Sequence, residues 1–423
     1  MRRILLAMLA LAAALPAAAG GAEAPGPDPG PDASDEIRAI VSEMLADART
    51  RTSLSASSAE VTHDGTRFRI ATPDGRFVLR PLGEIQFRYL VSLRDGADES
   101  DEFGFQTRRT RVRVDGTVLG DFDFRVLTAF SRARGRMRLE DLWVAYSGID
   151  GWRFRWGQYR VPFLREEMVA GRYQLAVERS LVNEVFNQGF SQAVEARWRG
   201  ETLKVTAAFG DGFASRNTEI DDEKTGPFQG GAEADWALTA RLDWKPMGGW
   251  SQFRQFTSPP DTDTGVLVGA AFHAEGGDGA GEGQWTTLHA TADVSLQLDG
   301  IGAFASFVWR RGDPNGGPIS DDFGVVAQVS GYLPESDWEL FARYDVYLPD
   351  PDLEQGDPFN SVTAGVNWYI YGQAARFTFD VVYFVDDADG TAFRSLLGST
   401  LIGFTGSSEP GQTLLRAQFQ LLF

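Results

Sequence analysis

From about residue 64 to the last residue, apolar and polar side chains alternate at successive positions. At the C-terminus Leu415, Ala417, Phe419, Leu421 and Phe423 alternate with Arg416, Gln418 and Gln420, and Leu422 breaks the polar set. Phe377, Phe379, Val381 and Tyr383 alternate with Arg376, Thr378 and Asp380. Val362, Ala364, Val366, Trp368 and Ile370 alternate with Thr363, Gly365, Asn367 and Tyr369, and Trp338, Leu340, Ala342 and Tyr344 with Glu339, Arg343 and Asp345. A period of two belongs to strands with one oily and one watery face.

A soluble sandwich also alternates. Three features favour a closed barrel in a membrane instead. Connections alternate between short and long. Aromatic residues crowd strand ends, as at Trp152, Trp156, Tyr344, Tyr369, Tyr371 and Tyr383, where interface girdles belong. The chain ends on an alternating strand with Phe423. Beyond the first residues, no stretch has the apolar length of a spanning helix. A membrane protein of this kind must be a closed sheet, because lipid satisfies no backbone group. The expected fold is therefore all-β, a transmembrane antiparallel barrel. About ten residues per strand plus connections give about sixteen strands over residues 64–423, with fourteen or eighteen also compatible. A barrel of that size encloses water.

Arginine fixes the register. In Gln106 to Val118, Val112, Val114, Gly116 and Val118 must face lipid, and Arg109, Arg111, Arg113 and Asp115 the lumen. The opposite register would place three guanidiniums in hydrocarbon, at about 2–4 kcal/mol each. By the same rule Arg125 and Asp123 face inward between Phe122, Phe124, Val126 and Phe130. Arg153 and Arg155 face inward between Trp152, Phe154 and Trp156. Glu84, Gln86 and Arg88 face inward between Ile85, Phe87 and Tyr89. Neighbouring strands thus bring arginines to one wall, which offers donors in series to anions. The same wall carries Glu84, Asp115, Asp123 and Asp141. If these neutralise it, the pore is polar and unselective.

The N-terminus reads as a separate region. Arg2 and Arg3, the uncharged apolar run Ile4–Leu15, and small residues ending in Ala22-Glu23-Ala24 (or Ala17-Ala18-Ala19) have the order of a secretory signal peptide, residues 1–24. Residues 25–33 form a proline- and glycine-rich linker. Ser34-Asp35-Glu36 start a helix within residues 34–58, and Ile37, Val41, Met44, Leu45 and Ala48 share one face. That stripe suits a short periplasmic coiled coil or a helix on the barrel mouth. The barrel domain is expected over residues 64–423.

Charge divides the barrel. Residues 60–213 hold 24 basic and 22 acidic residues, whereas 214–423 hold 11 and 30. An acidic half and a net charge of -19 argue against nucleic acid as a partner. With no cysteine, disulfide frameworks and thiolate metal sites are excluded. The three histidines, His63, His273 and His289, are too scattered for a metal cluster. No serine shares a catalytic motif with His273 or His289, so no enzyme is expected, and no cofactor is implied.

Several segments together resemble the phosphate-selective porin O and P family. They are Phe105-Gln106-Thr107-Arg108-Arg109-Thr110-Arg111, Gly120-Asp121-Phe122-Asp123-Phe124-Arg125, Gly157-Gln158-Tyr159-Arg160-Val161-Pro162-Phe163, Glu178-Arg179-Ser180-Leu181-Val182 and Gly365-Val366-Asn367-Trp368-Tyr369. The resemblance covers roughly residues 64–423. It implies a sixteen-stranded, homotrimeric barrel in outer-membrane lipid, with an arginine ladder leading to a constriction. Its solutes would be small and anionic or polar, phosphate or polyphosphate among them. By position Arg109, Arg111 and Arg113 belong to the ladder. The stretch Pro162 to Gly189 alternates poorly and carries Arg165, Arg172 and Arg179, as a loop folded into the lumen would. The chain departs from the family in lysine. Only Lys204, Lys224 and Lys245 are present, where the family is expected to place lysines near the constriction. The competing function is a structural or receptor barrel without an open channel.

Overall fold

The computed structural model describes residues 42–43, 59–63, 68–94, 96, 100–130, 136–212, 215–220, 222, 234–278, 284–313, 318–351, 358–387 and 407–423. The signal peptide, the linker and almost all of the expected helix lie outside the described residues. Of that helix only Ser42 and Glu43 are described, both helical and exposed.

Two short strands, β1 (Glu60–His63) and β2 (Phe68–Ala71), pair with each other, and β2 pairs with the start of the next strand. Sixteen longer strands follow. They are β3 (Val78–Leu93), β4 (Glu102–Val118), β5 (Phe122–Phe130), β6 (Met137–Tyr146), β7 (Trp152–Arg160), β8 (Phe190–Arg199), β9 (Leu203–Gly210) and β10 (Trp236–Met247). The second half comprises β11 (Gly265–Asp278), β12 (Gln284–Leu298), β13 (Ile301–Asp313), β14 (Ser320–Tyr332), β15 (Trp338–Leu348), β16 (Phe359–Tyr371), β17 (Ala375–Phe384) and β18 (Thr413–Leu422). Each pairs antiparallel with the next, and β18 pairs antiparallel with β3 from Thr413↔Leu93 to Leu422↔Glu84. The sheet is a closed antiparallel barrel of sixteen strands. Closure leaves no free edge in lipid, and among the described residues no helix is long and apolar enough to cross a membrane.

One rim carries short connections, such as 119–121, 147–151, 299–300 and 372–374. Gly300 takes φ +73° in the two-residue turn 299–300, a conformation that favours glycine. The other rim carries most of the longer connections, including 161–189 and 211–235. In bacterial outer-membrane barrels the short turns face the periplasm.

Outside and inside follow the alternation. Phe87, Val112, Trp152, Trp156, Phe379, Val381 and Leu415 are exposed on the outer face, while Arg88, Arg111, Arg376, Asp380 and Arg416 are buried inside. Near the short-turn rim Trp338, Trp368, Phe377 and Phe419 are directly opposed on β15 to β18. Their ring centroids are 5.4, 5.9 and 4.8 Å apart. Such cross-strand aromatic rows mark a membrane interface. Tyr369, expected in the girdle, does not belong to it. The alternation that sends Trp368 out turns Tyr369 inward, where its hydroxyl donates to Glu339.

The inner face of the second half is not uniformly polar. Phe304, Val308, Val326, Phe341, Phe359, Val382, Phe384 and Leu414 face inward and form one apolar cluster. Its other partner is the connection after β7.

Candidate pore constriction

Residues 161–189 leave β7 at the long-loop rim and enter the barrel. They contain α1 (Arg165–Met168) and α2 (Leu181–Phe186). The hydroxyl of Ser180 caps α2 by accepting from the Asn183 N–H at 2.9 Å. Glu166 in turn accepts from the Ser180 N–H at 2.7 Å and from its hydroxyl at 2.5 Å. Leu175, Val182, Val185 and Phe186 pack into the apolar cluster. The approach is close at Gly324, where a Cβ would stand 2.6 Å from Val182 and 2.8 Å from Phe186.

Polar tethers from the surrounding strands hold the segment's backbone. Asp380 and Asp345 accept from the N–H groups of Val177 and Leu181, both at 2.9 Å. Arg241, Arg343, Arg376 and Asn367 donate to the carbonyls of Phe163, Glu178, Gln174 and Leu175 at 2.9, 3.0, 3.0 and 3.1 Å. Buried backbone groups need such partners.

A second segment, 248–264, enters from the short-turn rim. Phe253 and Phe256 are buried. The Phe256 N–H donates to the Tyr173 carbonyl at 3.3 Å, and Arg165 donates to the Phe253 carbonyl. The two segments therefore meet inside the barrel and fill the side bounded by β11 to β18. Nothing in the sequence pattern distinguished 248–264 from an ordinary turn.

The arginine wall is paired with carboxylates from several elements. Glu178 of the first segment receives Arg88 and Arg109, each at 2.7 Å, and Arg108. Two arginines adjacent in sequence reach one carboxylate because β4 bulges. Gln86 pairs with Arg109 but Phe87 pairs with Thr107, which leaves Arg108 as the extra residue. Burial acts to raise the Glu178 carboxyl, but Arg108, Arg109 and Arg88 outweigh it and hold it well below the usual range. A bulge in β6 does the same for Glu140 and Asp141. Arg111 lies 2.7 Å from Glu140 and 3.6 Å from Glu84, and Arg172 lies 3.3 Å from Glu84. Arg125 meets Asp115 at 2.7 Å and Asp141 at 3.5 Å, and Arg113 meets Asp115 at 3.2 Å. Arg155 pairs with Glu195, Arg153 lies 3.8 Å from Asp123, and Arg179 lies 3.2 Å from Glu167.

A cavity of about 270 Å³ remains between the first segment and the wall of β3 to β10. Of the arginines expected from sequence, Arg111, Arg113, Arg125, Arg155 and Arg172 line it. Arg88 and Arg109 point inward but are covered by the segment, with Gly171 over the Arg109 guanidinium. Arg153 lies over the Trp143 ring at 4.7 Å. Arg165 and Arg179 are buried staples of the in-folded segments. Arg160, Arg197, Lys204 and Arg241 also line the cavity. Arg197, Lys204 and Arg241 sit between outward apolar neighbours, so the alternation rule would have found them. In all, nine cationic side chains and four carboxylates (Glu84, Asp141, Glu195 and Asp243) line the cavity.

Comparison with known proteins agrees with this architecture. An anion-selective porin from Comamonas acidovorans superposes with a TM-score of 0.58 at 10% identity, over 82% of this chain and 100% of its own. The outer-membrane channel DcaP of Acinetobacter baumannii gives 0.56 at 13%, over 83% and 99%. The trimer form of OmpT, an outer-membrane protein of Vibrio cholerae, gives 0.55 at 11%, over 82% and 99%. No curated protein sequence matches the chain. Residues 84–236 match the family model of phosphate-selective porin O and P. The barrel thus has the fold of these outer-membrane porins, and residues 84–236 carry its likeness to the phosphate-selective porin O and P family.

Proposed function

We propose that this porin passes small anions by diffusion along the wall of β3 to β10. One observation carries the reading: nine cations against four carboxylates line the cavity beside the in-folded segment, the route the anions would take. Charge at the constriction sets selectivity in such pores. Arg111, Arg113, Arg125 and Arg155 already hold carboxylates. This favours a modest preference across anions over tight retention of phosphate, because a solute must compete with a partner in place. The paired wall also supports a second reading, a polar pore with little selectivity.

The same proposal extends to assembly and export. Residues 1–24 direct export, 25–33 link, 34–58 form the accessory helix and 64–423 form the pore. Three copies assemble, as the trimer form of the Vibrio cholerae protein supports. The test is the reversal potential of single channels in a KCl gradient, with phosphate then added to look for block. A potential on the chloride side supports the reading. A potential at zero supports the unselective pore, and absence of current supports the receptor barrel.

A further inference from the structure

The passage is not a purely polar surface. Pro162, Met168 and Ala170 line it from the in-folded segment, and Leu127 and Trp143 from the strands. Trp143 is not there through a lapse in pattern. Its neighbours Leu142 and Val144 are exposed on the outer face, so the alternation of β6 turns the indole inward.

An inorganic oxyanion gains nothing from the hydrocarbon of Pro162, Met168, Ala170 and Leu127. Its hydration must be replaced by donors, and apolar groups supply none. An organic anion gains from both kinds of lining. Guanidiniums receive its charged end, and the apolar groups receive its hydrocarbon body. Trp143 adds a second observation. Its indole N–H is buried and meets no acceptor, while the guanidinium carbons of Arg125, Arg153 and Arg155 lie 5.2, 4.7 and 5.8 Å from the ring centre. The arginines have carboxylate partners, but the indole N–H is a donor left without an acceptor, which is costly when buried.

We infer that the passage favours organic carboxylates with a hydrocarbon body over inorganic anions. This rests on the reading that the pore prefers anions, and it names the class of anion. The carboxylate lies against the arginine wall, and the hydrocarbon lies toward Met168 and Leu127.

The test uses the full-length protein in planar bilayers. The KCl reversal potential is measured first. Acetate, hexanoate and inorganic phosphate are then compared as blockers of the same current. Hexanoate is expected to block at about one tenth of the acetate concentration, well short of full burial of four methylenes, and at a lower concentration than phosphate. Met168→Gln is expected to shrink the hexanoate–acetate difference to about twofold. The open-channel current itself reports that the variant has folded, and the wild-type comparison stands without it. Equal block by hexanoate and acetate, stronger block by phosphate, or a difference that persists undiminished in Met168→Gln would each overturn the inference while the anion reading survived. A cation-side reversal potential would remove both.

Discussion

Arg109 donates to Glu178 at 2.7 Å, so a strand of the cationic wall is clamped to the segment that crosses the lumen. Arg88 donates to the same carboxylate at 2.7 Å and lies 1% exposed. Removing the carboxylate leaves buried guanidiniums without their counter-charge, at about 3–5 kcal/mol. Glu178→Ala is therefore expected to lower the unfolding midpoint in urea and to loosen the segment, raising single-channel conductance. A variant with unchanged midpoint and unchanged conductance would show that Glu178 does not hold the segment.

Cavity lining and anchoring separate along one strand. Arg111 and Arg113 line the cavity, as does Arg125 on β5, whereas Arg109 is covered. Alanine at Arg111, Arg113 and Arg125 together is expected to lower the chloride-to-potassium permeability ratio severalfold. Arg109→Ala is expected to change stability more than that ratio. If Arg109→Ala alone abolishes anion preference, the ions take a different route.

The barrel and the inward arginines were legible because lipid forbids the alternative register. The rest was hidden for physical reasons. A bulge moves one residue to the other face without any mark in composition, which is why Arg108 on Glu178 and Glu140 on Arg111 were missed. The inward Phe304, Val308, Phe341 and Phe384 depart from the polar-inside pattern. The rule of polar inside assumes water there, and here the inner face meets the in-folded segment. Phe253 and Phe256 of the segment 248–264 are buried on that side too.

The in-folded segment also carries a pH dependence. Burial, with Glu167 and Glu178 nearby, pushes the Glu184 carboxyl in α2 up to about 7. The folded state then binds more protons than the unfolded state between the ordinary value of 4.5 and about 7. The stabilisation is complete below that window and is lost as pH rises through it. Amide exchange in residues 181–186, corrected for its intrinsic rate, is expected to be faster at pH 8 than at pH 5. Glu184→Gln should remove that difference. Equal protection at both pH values in the native protein would refute the assignment.

Closure of the barrel at the short-turn rim depends on a small residue. Gly83 and Phe423 exchange both backbone hydrogen bonds, at 2.5 and 3.1 Å, extending the β18–β3 ladder by one pair. The phenyl ring lies over the glycine, and a Cβ there would stand 2.4 Å from it. Gly83→Ala must displace the ring, at about 1–3 kcal/mol for an overpacked contact. The cost belongs to the pair, so it should largely vanish when Phe423→Ala is already present, leaving a coupling energy of about 1 kcal/mol or more. Urea unfolding of the two single variants and the double variant measures this. Strictly additive effects would mean that the ring does not seal against Gly83, and that the final pair contributes through its backbone alone.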